Sequence, residues 1–320
     1  MKRVLITGGT GFIGRTLLQR IIYDGEFIPI VAIRTRINSV LPVDQVINVG
    51  EISSNTNWKD ALCDVKVVIH AAARAHVLDE KSLNPIESFR EVNVDGTLNL
   101  ARQAVERGVT RFIFISSIGV NGNHSIRPFT EDDIPNPVEP YALSKLEAEQ
   151  GLRQIADETG MEVVIIRPPL VYGPNSPGNF RRLFEIIKKK IPLPLGAIHN
   201  KRSLIGLDTL VDFIIVCVDN SLAANETFLV SDGEDLSTTE LIQTIAKALN
   251  ISIYLVPVPE KILRLGAMLV GKQAFLQRLC GSLQVDISKA RKLLDWKPIL
   301  SVEEGMARAV KGARTKNNLQ

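Results

Sequence analysis

Tyr141 and Lys145 stand four residues apart at the start of a stretch with helical spacing. On a helix those positions share one face, so the phenol and the ammonium lie on the same side. A phenol titrates near 10 and is a poor base at neutral pH. A nearby ammonium and the positive end of a helix both favour the phenolate. A phenol tuned in this way donates or accepts a proton while the adjoining carbon is oxidised or reduced. Ser117 follows the apolar run Arg111 to Ile115, and its hydroxyl can hold the same substrate oxygen. A Tyr and a Lys at this spacing are common and in most chains structural. The elements that position them decide their meaning.

The first fourteen residues supply that context. Lys2-Arg3-Val4-Leu5-Ile6 reads as a buried strand and breaks into Thr7-Gly8-Gly9-Thr10-Gly11-Phe12-Ile13-Gly14. Leu17, Leu18, Ile21 and Ile22 then recur at helical spacing. Gly8, Gly11 and Gly14 suit a tight turn, close approach of a pyrophosphate and close packing of helix on strand. The helix start offers free N–H groups and positive potential to an anion. A bare glycine fingerprint is weak, but strand, turn and helix in this order point to a dinucleotide.

Further strands are expected at Phe27 to Ile33, Gln45 to Val49, Val65 to His70, Arg111 to Ile115 and Met161 to Ile166. Long helices are expected over Asn84 to Arg107 and from Tyr141 to Thr159. Alternating strands and helices predict an α/β chain with a Rossmann-like, doubly wound parallel sheet, ligands lying at the C-terminal strand ends. The dinucleotide-binding domain is placed at 1–170. Residues 171–320 form mainly a smaller α/β substrate lobe, with some segments returning to the sheet. There, helices are expected at Asn179 to Lys190, from Asp208 as cap, and from Ser237 with Glu240 at capping-box spacing. Glu260 to Leu279 is amphipathic, and packing onto the small lobe is favoured over a membrane-surface role.

The second strand ends in Arg34-Thr35-Arg36, where NAD-binding folds normally carry an acid for the ribose. Arginine there can take a 2′-phosphate, so NADP(H) is favoured and NAD(H) stays possible. Glu51 can meet the adenine edge, and Ala71-Ala72-Ala73 let a flat group lie near the backbone. Asn93, flanked by apolar residues, needs partners and can bond the neighbouring backbone or orient an active-site group. His70 reads as a satisfied structural histidine. His76, His124 and His199 form no metal cluster.

The totals exclude other classes. The 320 residues are 45% apolar and 23% charged, which suits a packed core, and the net charge of +3 is scattered, so nucleic acid is not expected. Cys63, Cys217 and Cys280 lack metal-like spacing and read as reduced thiols. No apolar run reaches the length of a membrane span, and the first strand begins almost at Met1, so a cytoplasmic protein is expected.

Together with His70-Ala71-Ala72-Ala73, Asn93-Val94-Asp95-Gly96-Thr97, Ser116-Ser117, Tyr141-Ala142-Leu143-Ser144-Lys145 and Arg167-Pro168-Pro169-Leu170-Val171-Tyr172-Gly173-Pro174, the glycine turn gives the chain a clear likeness. It resembles the extended short-chain dehydrogenases/reductases of the nucleotide-sugar epimerase and dehydratase family over nearly its whole length. The resemblance implies that Tyr141 is the acid/base, that Lys145 also holds the nicotinamide ribose, and that the catalytic Ser/Thr falls on Ser117. It implies dinucleotide contacts at Gly8, Gly11, Phe12, Ile13, Gly14, Arg34, Arg36, Glu51, Ile52, Ala71, Ala72, Ala73, Asn93, Tyr141, Lys145 and Pro168. Asn179 and Arg202 match positions that touch the nucleotide sugar, here expected to be a UDP-sugar. Related enzymes dimerise through helices that would start here near Asn84 and Tyr141.

Two departures narrow the reaction. Sugar 4,6-dehydratases carry Asp-Glu after the catalytic Ser/Thr, whereas Ile118-Gly119 follow Ser117 and neither moves a proton. Val120-Asn121-Gly122 replaces the frequent Val-Tyr-Gly, which loosens the match to standard 4-epimerases. The missing acid after the second strand favours a reductive enzyme. The chain, including Gly281-Ser282-Leu283-Gln284-Val285-Asp286, most resembles bacterial surface-polysaccharide enzymes. The expected reaction is 4-ketoreduction of a UDP-4-keto-6-deoxy-N-acetylhexosamine to UDP-N-acetylquinovosamine. A UDP-glucose or UDP-N-acetylglucosamine 4-epimerase with tightly held NAD is the alternative. A non-catalytic NAD(P)-binding scaffold is a further one, and the joint presence of Ser117, Tyr141 and Lys145 weighs against it.

Overall fold

Val4, Leu5 and Ile6 are wholly out of water. Their strand, β1 (Lys2–Thr7), lies inside a sheet covered on both faces, which is why it reads as a continuous apolar run rather than an alternating one. The computed structural model describes residues 1–35, 43, 45–75, 84–269, 271 and 273–317.

After β1 come α1 (Phe12–Asp24), β2 (Phe27–Ile33), β3 (Gln45–Asn48), β4 (Val65–His70), α2 (Pro85–Arg90), α3 (Gly96–Glu106), β5 (Arg111–Ile115), α4 (Pro140–Thr159) and β6 (Glu162–Arg167). The second half adds β7 (Leu170–Tyr172), α5 (Gly178–Lys188), β8 (Arg202–Gly206), α6 (Leu207–Asp219), β9 (Thr227–Leu229), β10 (Asp235–Leu236) and α7 (Thr238–Leu249). It ends with α8 (Glu260–Leu269), α9 (Gln273–Cys280), α10 (Ser288–Leu294) and α11 (Val302–Asn317). Seven parallel strands form the main sheet in the order β3-β2-β1-β4-β5-β6-β9. The order reverses between β1 and β4, and at such a switch point the loops diverge to leave a crevice.

Two cores flank the sheet. A third, built from Tyr172, Phe184, Ile245, Met306 and their neighbours, belongs wholly to the second half beside a small sheet of order β10-β8-β7. The halves interleave: β9 pairs with β6, and α6 packs into the first half's core.

Several local expectations are corrected. The helix expected over Asn84 to Arg107 is interrupted by a π turn at Glu91–Asp95 between α2 and α3. Such a turn holds one residue more than an α turn and re-aims its side chains. Asp208 is not a cap. Gly206 takes the cap position of α6, and Asp208 lies in the first turn, paired with Arg308 at 3.0 Å. Leu170–Tyr172 adds a short strand that the sequence did not announce. The capping box of Ser237 and Glu240 is present as expected. The amphipathic segment from Glu260 forms two helices, and the first buries no residue, so the expected packing onto the small lobe is absent there.

The turn that starts the fold has no room for side chains. A Cβ at Gly14 would stand 2.2 Å from the Gly8 carbonyl oxygen. Gly14→Ala is therefore expected to destabilise by roughly 1–3 kcal/mol through overpacking, measured by chemical denaturation. Gly25→Ala is the control: its φ is +68° but its Cβ would meet nothing within 4 Å. It should carry only the left-handed penalty, roughly 1–2 kcal/mol, and leave dinucleotide binding intact where Gly14→Ala removes it.

Candidate active site

A cleft of about 560 Å³ opens at the C-terminal ends of β1, β4, β5 and β6. Gly8, Gly11, Phe12, Ile13, Gly14, Ala71, Ala73, Ser117, Tyr141, Lys145, Pro168 and Arg202 all line it. Residues far apart in the chain are thus brought to one cleft.

The glycine turn forms its floor. Gly8 adopts φ +69°, and a Cβ there would stand 2.8 Å from the Ala72 nitrogen, so the turn and the segment after β4 touch backbone to backbone. The Ala72 N–H donates to Thr7 Oγ1 at 3.2 Å. Gly11 is different: a Cβ would meet only the Gly8 oxygen, at 3.1 Å, and otherwise project into the open cleft. It is also the N-cap of α1, with no side-chain cap and no acidic residue in the first turn. The first N–H groups of α1 are therefore left for an anion, and a bare backbone lets it approach. These features fit the pyrophosphate of a nicotinamide dinucleotide.

His70 is structural, as its sequence context suggested. It is bonded to Thr7 Oγ1 at 2.7 Å and Thr97 Oγ1 at 2.9 Å, and burial, aided by the charge of Lys145, lowers its pKa to about 3. It is therefore neutral at working pH and ties β1 and β4 to α3.

Asn93 sits in the π turn and is 1% exposed. Its Oδ1 accepts from the Arg74 N–H at 2.8 Å, and its Nδ2 donates to the Arg74 carbonyl at 3.1 Å and to Ser144 Oγ at 3.0 Å. Ser144 in turn donates to the Tyr141 carbonyl at 2.8 Å. Asn93 does not line the cleft. It fixes the segment after β4 against the first turn of α4.

Ser116 and Ser117 have different partners. Ser116 is buried and donates to Glu149 at 2.5 Å. Ser117 faces the cleft and accepts from the Gly119 N–H at 3.1 Å, capping a short 3₁₀ turn. Lys145 is 2% exposed, donates to the Ile115 carbonyl at 2.8 Å and lies over the Phe114 ring at 4.2 Å. Burial lowers its pKa to about 7, while the carboxylate of Glu149 opposes that shift. The Tyr141 ring packs edge-on to Phe89 of α2, and burial pushes its hydroxyl up to about 12. The expected lowering of Tyr141 by Lys145 is thus reversed in the chain alone, because desolvation of the phenolate dominates.

Beneath this wall lies a network the sequence reading missed. Glu149 takes Nε and Nη2 of Arg167 at 3.0 and 2.5 Å, and Arg167 Nη1 donates to Asn121 at 2.9 Å. Glu149 follows Lys145 by four residues and Tyr141 by eight, and that same-face spacing was the signal available.

Other expected contacts lie away from the cleft. Ala72 contributes only its backbone behind the turn. Ile52 packs on Gly96 of α3, where a Cβ would come within 2.5 Å of it. Arg34 is exposed at the end of β2 and stands 3.5 Å from Glu51, so these two expected ligands face each other. Arg36 and the side chain of Asn179 lie outside the described residues. On the opposite wall Arg202 donates to the carbonyls of Arg278 at 2.8 Å and Gly281 at 3.1 Å, and burial lowers its pKa. Arg278 also lines the cleft and pairs with Glu139 at 2.6 Å, across from the start of α4. No spacing in the sequence marks Arg278. Among the described residues no group of acidic, His or Cys side chains could hold a metal.

Lys145 binds its proton less tightly in the fold than its ordinary value of 10.5, at about 7. Unfolding therefore takes up protons between those values, and stability rises with pH across that window. Thermal unfolding followed from pH 7 to 9 should show an upward slope that Lys145→Met removes. An unchanged slope in the variant would contradict this account of Lys145.

A model of the NAD dependent epimerase/dehydratase family matches residues 4–230. UDP-glucose 4-epimerase of Vibrio cholerae is 44% identical over 320 residues, covering 99% of this chain and 97% of its own. UDP-N-acetylglucosamine 4-epimerase of Bacillus cereus shares the fold with a TM-score of 0.80 at 22% identity, over 98% of this chain and 100% of that one. UDP-glucose 4-epimerase of Thermotoga maritima, with UDP-glucose, gives 0.78 at 22% identity over 98% and 99%. A likeness of this extent, on a Rossmann-like sheet with a dinucleotide-shaped turn, makes the chain a member of the NAD dependent epimerase/dehydratase family and an NAD(P)-dependent nucleotide-sugar enzyme.

Proposed function

We propose that the chain acts at C4 of a UDP-sugar as a 4-epimerase. The observation that carries this reading is the single cleft in which Ser117, Tyr141 and Lys145 meet the glycine turn, with buried Ile118 and Gly119 where an elimination would need further acid and base groups. The 4-epimerase that is 44% identical over the full length supports C4 as the reacting carbon.

A nicotinamide dinucleotide held on the glycine turn supplies the acceptor and donor of hydride. Tyr141 takes the proton from the C4 hydroxyl and returns it. Ser117 holds that oxygen by a hydrogen bond. Lys145, anchored on the Ile115 carbonyl, fixes the ribose. Arg202 and Arg278 face the diphosphate, and a substrate contact by Asn179 belongs to the same proposal. A homodimer through α2–α3 and α4 belongs to the same proposal; within one chain Arg90 and Glu147 already join α2 to α4 at 2.6 Å.

A second reading, 4-ketoreduction of a UDP-4-keto-6-deoxy-N-acetylhexosamine with NADP(H), is favoured by the end of β2. The exposed Arg34 stands there in place of an acid. Its contact with Glu51 weakens that argument, because the carboxylate offsets the charge a 2′-phosphate would meet.

A cofactor balance separates the two readings. UDP-glucose and UDP-galactose, or their N-acetyl forms, should interconvert with no net consumption of added cofactor. Consumption of one reduced cofactor per UDP-4-keto-6-deoxy-N-acetylglucosamine, without interconversion, would establish the ketoreductase instead. In either case Tyr141→Phe should lower kcat by roughly 10²–10⁴-fold while dinucleotide binding persists. Full activity in that variant would remove the mechanism.

A further inference from the structure

Helix α8 has no buried residue. Ile262, Leu265, Met268 and Leu269 recur along one face and are 60%, 61%, 60% and 80% exposed. The half-buried Leu263 and Ala267 lie on the other side, where α8 meets α9. Met268 also borders a groove between α8 and α9, and the rest of the apolar face looks away from the protein. Lys261 lies beside it, exposed, and Arg264 borders it, paired with Glu260 at 2.6 Å. Residues 254–277 hold three basic side chains, Lys261, Arg264 and Lys272, against the single acid Glu260. The segment carries a net charge of +2. Two further exposed groups adjoin. Tyr254 is 67% and Ile191 48% exposed, and the Leu193 N–H bonds the Tyr254 carbonyl at 3.0 Å. This pairing brings the end of the exposed Lys188-Lys189-Lys190 run beside the segment leading into α8.

From this we infer that the α8–α9 hairpin docks the enzyme on an anionic lipid surface. An apolar helix face with lysine and arginine on the same helix is the chemistry that lies in a headgroup layer. A second copy of the chain fits less well. The face is about 15 Å long and 10 Å wide, far below the roughly 800 Å² per partner that a stable interface needs. A two-fold contact would also set like charges against each other. The helix is ten residues long, and no described helix is long and apolar enough to cross a membrane, so it lies on the surface. The hairpin is continuous with the cleft, because Arg278 near the end of α9 lines it. Docking would hold the cleft mouth close to the headgroups. None of this depends on which sugar is bound.

The test is co-sedimentation of the full chain with vesicles of phosphatidylcholine alone or mixed with phosphatidylglycerol. Binding should be roughly tenfold or more stronger with phosphatidylglycerol and should fall as salt is raised. The double variant Leu265→Glu and Met268→Glu should lose vesicle binding while its circular dichroism, thermal midpoint and dinucleotide binding stay unchanged. Absence of the wild-type chain from phosphatidylglycerol vesicles would overturn the inference. So would equal binding by the double variant. Sedimentation velocity showing that the variant converts a dimer to a monomer would assign the face to a second copy and overturn it as well.

Discussion

A carboxylate and a guanidinium, both nearly out of water, hold one wall of the cleft together. The side chains of Glu149 and Arg167 are 1% and 4% exposed. Removing two charges from water is costly, and in the best geometry their attraction roughly offsets the penalty. The pair therefore says little about net stability and much about position. It joins α4, which bears Tyr141 and Lys145, to the end of β6. Through Ser116 it reaches the end of β5, and through Asn121 the turn after Ser117. The Asn121 that departs from the family's usual tyrosine thus has a definite role: it receives one arm of Arg167 and donates to the Thr130 carbonyl at 3.0 Å. The same carboxylate opposes the lowering that burial imposes on Lys145.

The first half of the fold was legible because its rules are local. A buried parallel strand must be apolar throughout, a backbone contact such as that between Gly8 and Ala72 excludes side chains, and Gly160 ends α4 with a φ of +75°. Ser117, Tyr141 and Lys145 could be assigned to one wall once the strands were ordered, since loops leave a parallel sheet at one end. The choice between the two serines also had a local basis. Ser116 continues the unbroken buried run of β5, and Ser117 is the first residue beyond it.

What stayed hidden depended on partners distant in sequence. Nothing near Glu149 announces Arg167. The π turn at Glu91–Asp95 follows no sequence period, and it turns Asn93 from an expected cofactor ligand into a brace for the Arg74 backbone. Arg278 reaches the cleft only because residues 281–285 run back beside β8 and the loop before α4, in the isolated pairings of Leu283 with Arg202 and Val285 with Phe129. The apolar period of α8 was visible, but period alone cannot say whether a face meets protein or another phase.

The central claim is that the cleft oxidises and reduces C4 itself. UDP-glucose carrying deuterium at C4 tests it most directly. The account predicts UDP-galactose that retains the deuterium at C4, with none appearing in water and with turnover slowed by the heavier isotope. Product that has lost its deuterium to solvent would mean proton exchange at carbon instead, and would contradict the roles given to Ser117, Tyr141 and Lys145.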